Sequence, residues 1–141
     1  MKLLRNITNG VILIAIAILH TKFCLSSDGY GPQFNDLSSS YFFEICNGFT
    51  EFPTNEHTNF ASHAAFWFFY FGLLLIPLGL LVHSIEREKK RLPLIFTISY
   101  FIIVLVGCYM IPKSGMTFFM LPHAVFMLVQ SIYKKSKKIK V

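Results

Sequence analysis

The sequence predicts an all-α integral membrane protein, an antiparallel bundle of four transmembrane helices with a short amphipathic helix in its outer loop. Three observations lead to this fold. Of the 141 residues, 54% are hydrophobic, and the mean hydropathy of +0.55 exceeds that of ordinary soluble domains. Four apolar stretches come close to the roughly 20 residues that a helix needs to cross a bilayer. Basic residues cluster at alternate ends of these stretches.

The four stretches form one predicted domain and use more than half of the chain. They cover residues 7–25, 60–83, 94–111 and 116–133. Each should be a continuous helix, because a bilayer offers no water to satisfy backbone polar groups. For the first stretch the alternative is a signal peptide, since Lys2 and Arg5 precede its apolar run. A spanning helix is favoured there because no small-residue cleavage pattern follows Leu19.

The distribution of charge predicts the orientation. Eleven of the thirteen lysines and arginines lie before the first stretch, between the second and third, or after the fourth. The positive-inside rule makes these ends cytoplasmic. We therefore expect a multi-pass protein of the plasma membrane, the inner membrane in a bacterium, with both termini in the cytoplasm. The tail, residues 134–141, contains five lysines that suit anionic lipid. No aromatic stacking platform accompanies the basic residues, which argues against nucleic acid as a partner.

The outer loop, residues 26–59, contains five acidic residues and neither lysine nor arginine. Gly29, Gly31 and Pro32 predict a turn region at its start. Apolar residues then recur at helical spacing over residues 42–52 and stop before a proline. This pattern predicts a short amphipathic helix that lies on the membrane surface or caps the bundle. The loop either packs on the helices, which is favoured, or forms a lid over a ligand cavity.

The cysteines leave a disulfide open. Cys24 and Cys46 are both expected at the outer face, in a compartment where disulfides form. Their positions in the sequence do not establish that they pair. The third cysteine, Cys108, lies in the third apolar stretch. Because the chain has no Cys-x-x-Cys pair and no zinc-finger spacing, the cysteines do not predict a metal site.

Histidines in the outer half of the spans are the sharpest candidate site. His20, His63 and His123 come from three helices at similar expected depth, and ionisable groups inside a bilayer usually turn inward and often mark function. Met120 and Met127 share a helical stripe with His123. Imidazole and thioether groups can bind haem iron, copper or another metal. A metal or haem site, a pocket for quinone or another apolar ligand, and plain interhelical hydrogen bonds all stay open, and the last is favoured.

Trp67 and Tyr70 complete the candidate ligand-binding residues. They belong to the aromatic run 66–71 of the second stretch. Aromatic rings with a polar tip are enriched at membrane interfaces. Anchoring in the outer leaflet, or packing, is therefore favoured over a cofactor pocket.

Three segments share features with known proteins. Residues 10–20 end in Leu-His, residues 65–74 read Ala-Phe-Trp-Phe and then Phe-Gly-Leu-Leu, and residues 112–122 read Pro-Lys-Ser-Gly and then Leu-Pro. In these segments the chain resembles a group of small, largely bacterial, four-span membrane proteins classed as a domain of unknown function. The resemblance implies the four-span topology and brings no activity or cofactor. The outer loop is longer here than expected for that group.

The leading functional hypothesis is a non-enzymatic binding or accessory membrane protein. It would carry a pocket for an apolar, lipid-like ligand, or a partner surface, on the outer side. The first alternative is a redox membrane protein that holds haem, a metal or quinone with His20, His63 and His123. The second is a small transporter subunit. Besides the lipid bilayer, the expected partners are a second copy of the chain or another membrane protein, and the default expectation is that no cofactor is bound.

Overall fold

The computed structural model describes residues 7–41, 60–88 and 91–138. Over these ranges the chain is all-helical, with five α-helices and no strands. The helices are α1 (Asn9–Cys24), α2 (Gly31–Tyr41), α3 (Phe60–Arg87), α4 (Leu94–Met110) and α5 (Leu121–Lys138), and one π-helical turn (Met116–Met120) leads into α5.

Four of the helices follow the predicted apolar stretches closely. The main difference is that α3 and α5 continue beyond the predicted end points into the basic segments that follow. By length and composition two segments could each cross a membrane, α3 and Met116–Tyr133. α1 and α4 are apolar but shorter, with 16 and 17 residues.

The chain divides into two compact units. The first consists of Met1–Ile16 and Ile76–Val141, and the second of Ala17–Leu75. α1 and α3 each contribute one part to each unit. α2 belongs to the second unit, and α4 and α5 belong to the first.

In the first unit α1 and α3 meet at two glycines. A Cβ atom on Gly10 would overlap the backbone of Gly79 and of His83, and one on Gly79 would lie 2.9 Å from the carbonyl oxygen of Gly10. The two backbones are therefore in direct contact, with no room for a side chain between them. Small residues that allow such close approach are a common packing element between helices in lipid.

The same unit contains the π-helical turn, whose position has a local cause. The N–H of Leu121 donates to the carbonyl of Met116, five residues back. The next residue is Pro122, whose ring in a regular α-helix would press against the carbonyl four residues earlier. A wider turn immediately before the proline relieves that clash, so the chain enters α5 without losing its helical course.

In the second unit α2 packs on the start of α3. The side chain of Leu37 is buried, and the ring of Phe34 lies 4.7 Å from that of Phe69. The hydroxyl of Ser62 donates to the carboxylate of Asp36 at 2.9 Å. The segment between α1 and α3 therefore contains a helix that packs on the start of α3.

The sequence did not predict this helix. The chain turns over residues 25–30, and Gly29 lies within that turn. Gly31 and Pro32, which were expected to belong to it, begin α2 instead. A proline fits there because the first turn of a helix has no hydrogen bond that needs its N–H. The predicted amphipathic helix over residues 42–52 lies outside the described residues.

Apolar side chains occupy both the buried and the exposed faces of the helices. Among the described residues, leucines and valines such as Leu13, Val82 and Val104 are buried, together with the polar side chains of Asn9, Ser62, Thr97, His123 and Ser131. Large apolar side chains are also exposed on α1, α3, α4 and α5, and 70% of the surface of Ile103 is accessible. The exposed faces of these helices are therefore strongly apolar.

Candidate functional site

Polar side chains at one end of the first unit form a hydrogen-bonded group, which we call the terminal polar cluster. Its members are Thr8, Asn9, His83, Glu86 and Gln130. The first two lie where α1 begins, the next two lie in the last turns of α3, and Gln130 lies on α5. Three helices therefore bring polar atoms together at this end.

Glu86 of α3 caps the beginning of α1. One of its carboxylate oxygens accepts the backbone N–H groups of Asn9 at 2.7 Å and of Gly10 at 3.4 Å. The first N–H groups of a helix have no partner within the helix, and the helix dipole places partial positive charge there. The negative charge of Glu86 is thus matched to the N-terminus of α1, and the capping contact also joins α1 to α3.

Asn9 extends this contact to a third helix. Its side-chain amide donates to the other oxygen of Glu86 at 2.6 Å and to the side-chain oxygen of Gln130 at 3.0 Å. Only 3% of Asn9 is exposed. Its own carbonyl oxygen, Oδ1, is buried without a hydrogen-bond partner among the described residues. Asn9 therefore joins α1, α3 and α5 through one amide group.

Thr8 and His83 form the second contact between α1 and α3. The hydroxyl of Thr8 accepts the N–H of Val11 at 3.3 Å, as expected for the residue that caps a helix. The same hydroxyl lies 2.7 Å from Nδ1 of His83. Either group can donate in this contact, because the hydroxyl has two acceptor lone pairs and the tautomer of the His83 ring sets the direction.

A small cleft opens beside the terminal polar cluster. Its lining residues are Asn9, Glu86, Arg91, Leu92, Met127, Gln130 and Ser131. Its enclosed part measures about 10 Å³, roughly the room that one water molecule needs, and the rest is open to the surroundings. A ligand larger than water can therefore contact the lining residues only from the open side.

Arg91 contributes a guanidinium group to this cleft. The side chain is half-buried, and its Nε–H is shielded from solvent without an acceptor among the described residues. The carboxylate of Glu86, on the same cleft, is engaged by α1 through both of its oxygens. The positive charge of Arg91 is thus left without a protein partner in this part of the chain.

The candidate residues of the π-helical turn and of α5 are all buried. Met120, His123 and Met127 are at most 6% exposed. The hydroxyl of Tyr100 on α4 lies 3.4 Å from Nδ1 of His123, and the two rings meet edge to face at 5.9 Å. This is an interhelical contact of the kind that the sequence favoured for a buried histidine.

His20 and His63 belong to the second unit, whereas His123 belongs to the first. The ring of His20 stacks on Phe68 at 3.9 Å, and its Nε2 donates to the Phe68 carbonyl at 2.8 Å. One nitrogen of His20 is therefore occupied by the protein. Within the described ranges no three His, Cys, Asp or Glu side chains are placed to hold a metal ion. A haem, copper or quinone site at the three histidines stays a prediction.

Trp67 and Tyr70 lie on an exposed strip of rings in the first half of α3, which we call the aromatic face. Its members are Phe60, Phe66, Trp67, Tyr70 and Phe71. Half of the Trp67 surface is accessible, and Phe66 stacks on Tyr70 with ring centres 5.7 Å apart. Because most of these rings are exposed, they offer apolar surface to whatever surrounds the helix.

Cys24 is buried at the end of α1 as a free thiol. Its sulfur donates to the carbonyl oxygen of Ala65 at 3.6 Å. Cys46 lies outside the described residues, so the disulfide between Cys24 and Cys46 stays a prediction.

Sequence reasoning did not predict the terminal polar cluster as a site. Glu86 was not singled out, and Arg91 was used only to predict the orientation. A signal for Glu86 was present, because Glu86 and Glu88 are the two acidic residues of the chain outside the outer loop. An acidic residue that ends an apolar helix is costly without a partner. For Arg91 the sequence offered only membership of a basic run.

The sequence matches a family of unknown function, DUF6463, over residues 5–133. No curated protein and no solved structure matches the chain.

Proposed function

The chain belongs to DUF6463, a family of unknown function, and from its fold and site we propose that it is a four-span integral membrane protein with a non-enzymatic, accessory role. In this role it binds an apolar, lipid-like ligand or partner at the aromatic face. The observation that carries the proposal is the large amount of exposed apolar surface on the helices. Polar side chains such as Asn9 and His123 are buried, while large apolar side chains are exposed on all four long helices.

Exposed apolar helix faces are favourable when the helices are surrounded by lipid. A soluble monomer rarely exposes apolar patches larger than a few hundred Å², yet α4 alone exposes Ile95, Ile102, Ile103, Val106 and Met110. In hydrocarbon the same faces need no cover. Buried hydrogen bonds such as that between Asn9 and Glu86 keep polar groups away from the acyl chains.

Four spans are consistent with the helix lengths. At 1.5 Å per residue, α1 and α4 extend roughly 24–26 Å, slightly less than the roughly 30 Å of a typical hydrocarbon core. The neighbouring residues Ile7, Leu25 and Ile111 are apolar and exposed, which lengthens both apolar surfaces. Local thinning of the bilayer accommodates a small remaining mismatch.

The basic residues set the proposed orientation. They place the terminal polar cluster and both termini at the cytoplasmic side. The aromatic face then lies in the outer leaflet, where Trp67 and Tyr70 meet the membrane interface. Aromatic side chains at that depth can pack against an acyl chain, an isoprenoid or an apolar helix. This supports ligand binding at the aromatic face.

Cysteine labelling tests the membrane topology. We would introduce Asp28→Cys or Arg87→Cys, both at exposed positions, into a chain whose native cysteines are serine. The expected result is a protein that stays in carbonate-washed membranes. An impermeant thiol reagent should label the Asp28→Cys variant on intact cells, and the Arg87→Cys variant only after lysis. A protein found in the aqueous fraction contradicts the membrane assignment, and the reverse labelling contradicts the orientation.

Photolabelling tests the binding role. Purified protein in bicelles would be irradiated with a lipid that carries a photoactivatable group on its acyl chain, and labelled peptides would be mapped by mass spectrometry. We expect more label on the aromatic face than on the exposed side of α4 around Ile102 and Ile103, which is the matched lipid-facing control. Excess unlabelled lipid should remove the difference. Equal labelling of both surfaces means ordinary lipid contact and contradicts the proposal.

A further inference from the structure

We propose that the phosphate of an anionic lipid headgroup binds at the open side of the cleft beside the terminal polar cluster, with Arg91 as its main ligand. This proposal rests on the proposed membrane function, because it takes the cleft to face the cytoplasmic leaflet. It adds a site of defined chemistry to a general attraction between basic residues and lipid.

The charge balance of the cleft favours an anion. Two ionisable side chains line it, Glu86 and Arg91. The carboxylate of Glu86 is compensated by the backbone N–H groups that begin α1 and by the amide of Asn9. Arg91 has no such compensation from the described residues. An unpaired, partly buried guanidinium gains most from an anionic partner, and its planar donors match phosphate oxygens.

The neighbouring residues add donors and apolar walls. The side-chain oxygen of Gln130 accepts from Asn9, so the other end of that amide keeps its N–H donors. Ser131 adds a hydroxyl to the lining. Leu92 and Met127 form the apolar part of the wall and are almost fully buried. Donors beside apolar walls suit a headgroup whose glycerol and acyl parts continue along the helices.

The sequence around the cleft concentrates positive charge at this end of the chain. Arg87, Lys89 and Lys90 precede Arg91, and five lysines lie in the tail that follows the fourth apolar stretch. Each cation near a membrane surface attracts anionic lipid by about 1 kcal/mol. This general attraction raises the local concentration of anionic headgroups, and the cleft then selects one of them.

Lipid binding at the cleft can be tested with the full-length chain in detergent. Native mass spectrometry would count bound dioctanoyl phosphatidylglycerol, with dioctanoyl phosphatidylcholine as the zwitterionic reference. We expect saturable binding of one phosphatidylglycerol and weaker binding of phosphatidylcholine. Arg91→Gln should weaken phosphatidylglycerol binding by about tenfold, which corresponds to about 1.4 kcal/mol, because it removes a charge-assisted hydrogen bond.

Arg87→Gln is the matched control, because it removes the same charge from an exposed residue that does not line the cleft. It should weaken binding by less than about twofold, as exposed ion pairs contribute little. Arg91→Lys keeps the charge without the planar donors and should fall between the two. Circular dichroism and gel filtration would establish that each variant is folded, and Arg91→Lys serves as the test if Arg91→Gln is not.

Three outcomes overturn the proposal. Equal losses in Arg91→Gln and Arg87→Gln mean diffuse attraction rather than a site, and no preference for phosphatidylglycerol excludes an anion-selective cleft. Displacement of the lipid by equimolar inorganic phosphate assigns the cleft to a soluble phosphate instead of a headgroup. Failure of the membrane assignment is recognised separately, because that protein would stay in solution when the detergent is removed.

Discussion

Different interactions join the helices in the two units of the chain. At the polar end of the first unit, a carboxylate, an amide and two backbone N–H groups are joined within 3.4 Å, and two glycine backbones touch. In the second unit His20 stacks on Phe68, and aromatic side chains supply much of the contact between helices. Hydrogen bonds and backbone contacts are sensitive to small displacements, whereas stacked rings can slide. We therefore expect the first unit to be the less tolerant of substitution.

The largest effect should come from adding a methyl group at a glycine. In Gly10→Ala the new Cβ meets the backbone of Gly79 and of His83, which cannot move without separating the helices. We expect a loss of about 3 kcal/mol in the free energy of unfolding, at the upper end for overpacked sites. The measurement is loss of helical circular dichroism during denaturation in mixed micelles.

Gly72→Ala is the corresponding change in the second unit. Its Cβ would lie 2.6 Å from the hydroxyl oxygen of Thr21 and 2.9 Å from Cδ2 of His20. Both are side-chain atoms that can rotate away, so we expect a loss of about 1 kcal/mol. Gly115→Ala, where the nearest atom is a ring carbon of Phe119 at 3.8 Å, is the control without a clash. Equal losses at Gly10 and Gly72 would remove the contrast between the units.

The second prediction concerns the carboxylate that caps α1. Glu86→Gln keeps the size of the side chain but removes its charge and turns one oxygen into an N–H₂ group that faces other donors. An N–H group of Asn9 would then face the new N–H₂ donor and lose its hydrogen bond to residue 86. We therefore expect a loss of about 2 kcal/mol in the free energy of unfolding. The same denaturation experiment measures it.

Glu88→Gln, two residues later at an exposed position, is the matched control for loss of one negative charge. It should change the free energy of unfolding by less than about 0.5 kcal/mol. If the two variants behave alike, Glu86 acts through net charge alone, and the hydrogen bonds to Asn9 and Gly10 do not stabilise the contact between α1 and α3.

The sequence predicted the positions of α1, α3, α4 and α5 well because long apolar runs can be read directly from it. It did not predict which polar groups meet, because hydrogen-bonding partners lie far apart along the chain. Glu86 and Asn9 are separated by 77 residues, and no periodic pattern links them. Whether a histidine is bonded to a backbone carbonyl, as His20 is to Phe68, is likewise invisible in the sequence.

α2 was missed for a different reason. Its sequence is largely polar and ends in three serines and a tyrosine, so a single buried leucine, Leu37, gives too little periodicity for a helix prediction. The apolar pattern of residues 42–52 is stronger, and it produced the helix prediction in this loop. Packing on α3, which the sequence does not display, is what stabilises the helix at Gly31–Tyr41.

The smallest effect is expected on the aromatic face. Trp67 is the single tryptophan of the chain and half of its surface is accessible. If its ring faces lipid, Trp67→Leu exchanges one lipid-facing apolar side chain for another, and the free energy of unfolding should change by less than about 0.5 kcal/mol. In the unaltered protein, lipids brominated near the headgroup should quench its fluorescence more strongly than lipids brominated near the chain end.

Leu37→Ala is the buried control in the same unit, and a cavity at that position should cost about 2–4 kcal/mol. A loss of that size in Trp67→Leu would mean that the indole packs against protein and not lipid. Stronger quenching from the chain end would place Trp67 near the bilayer centre, and the aromatic face would then not be an interfacial surface. In either case the second unit would lack an exposed aromatic surface, which is the feature that distinguishes it from the first unit.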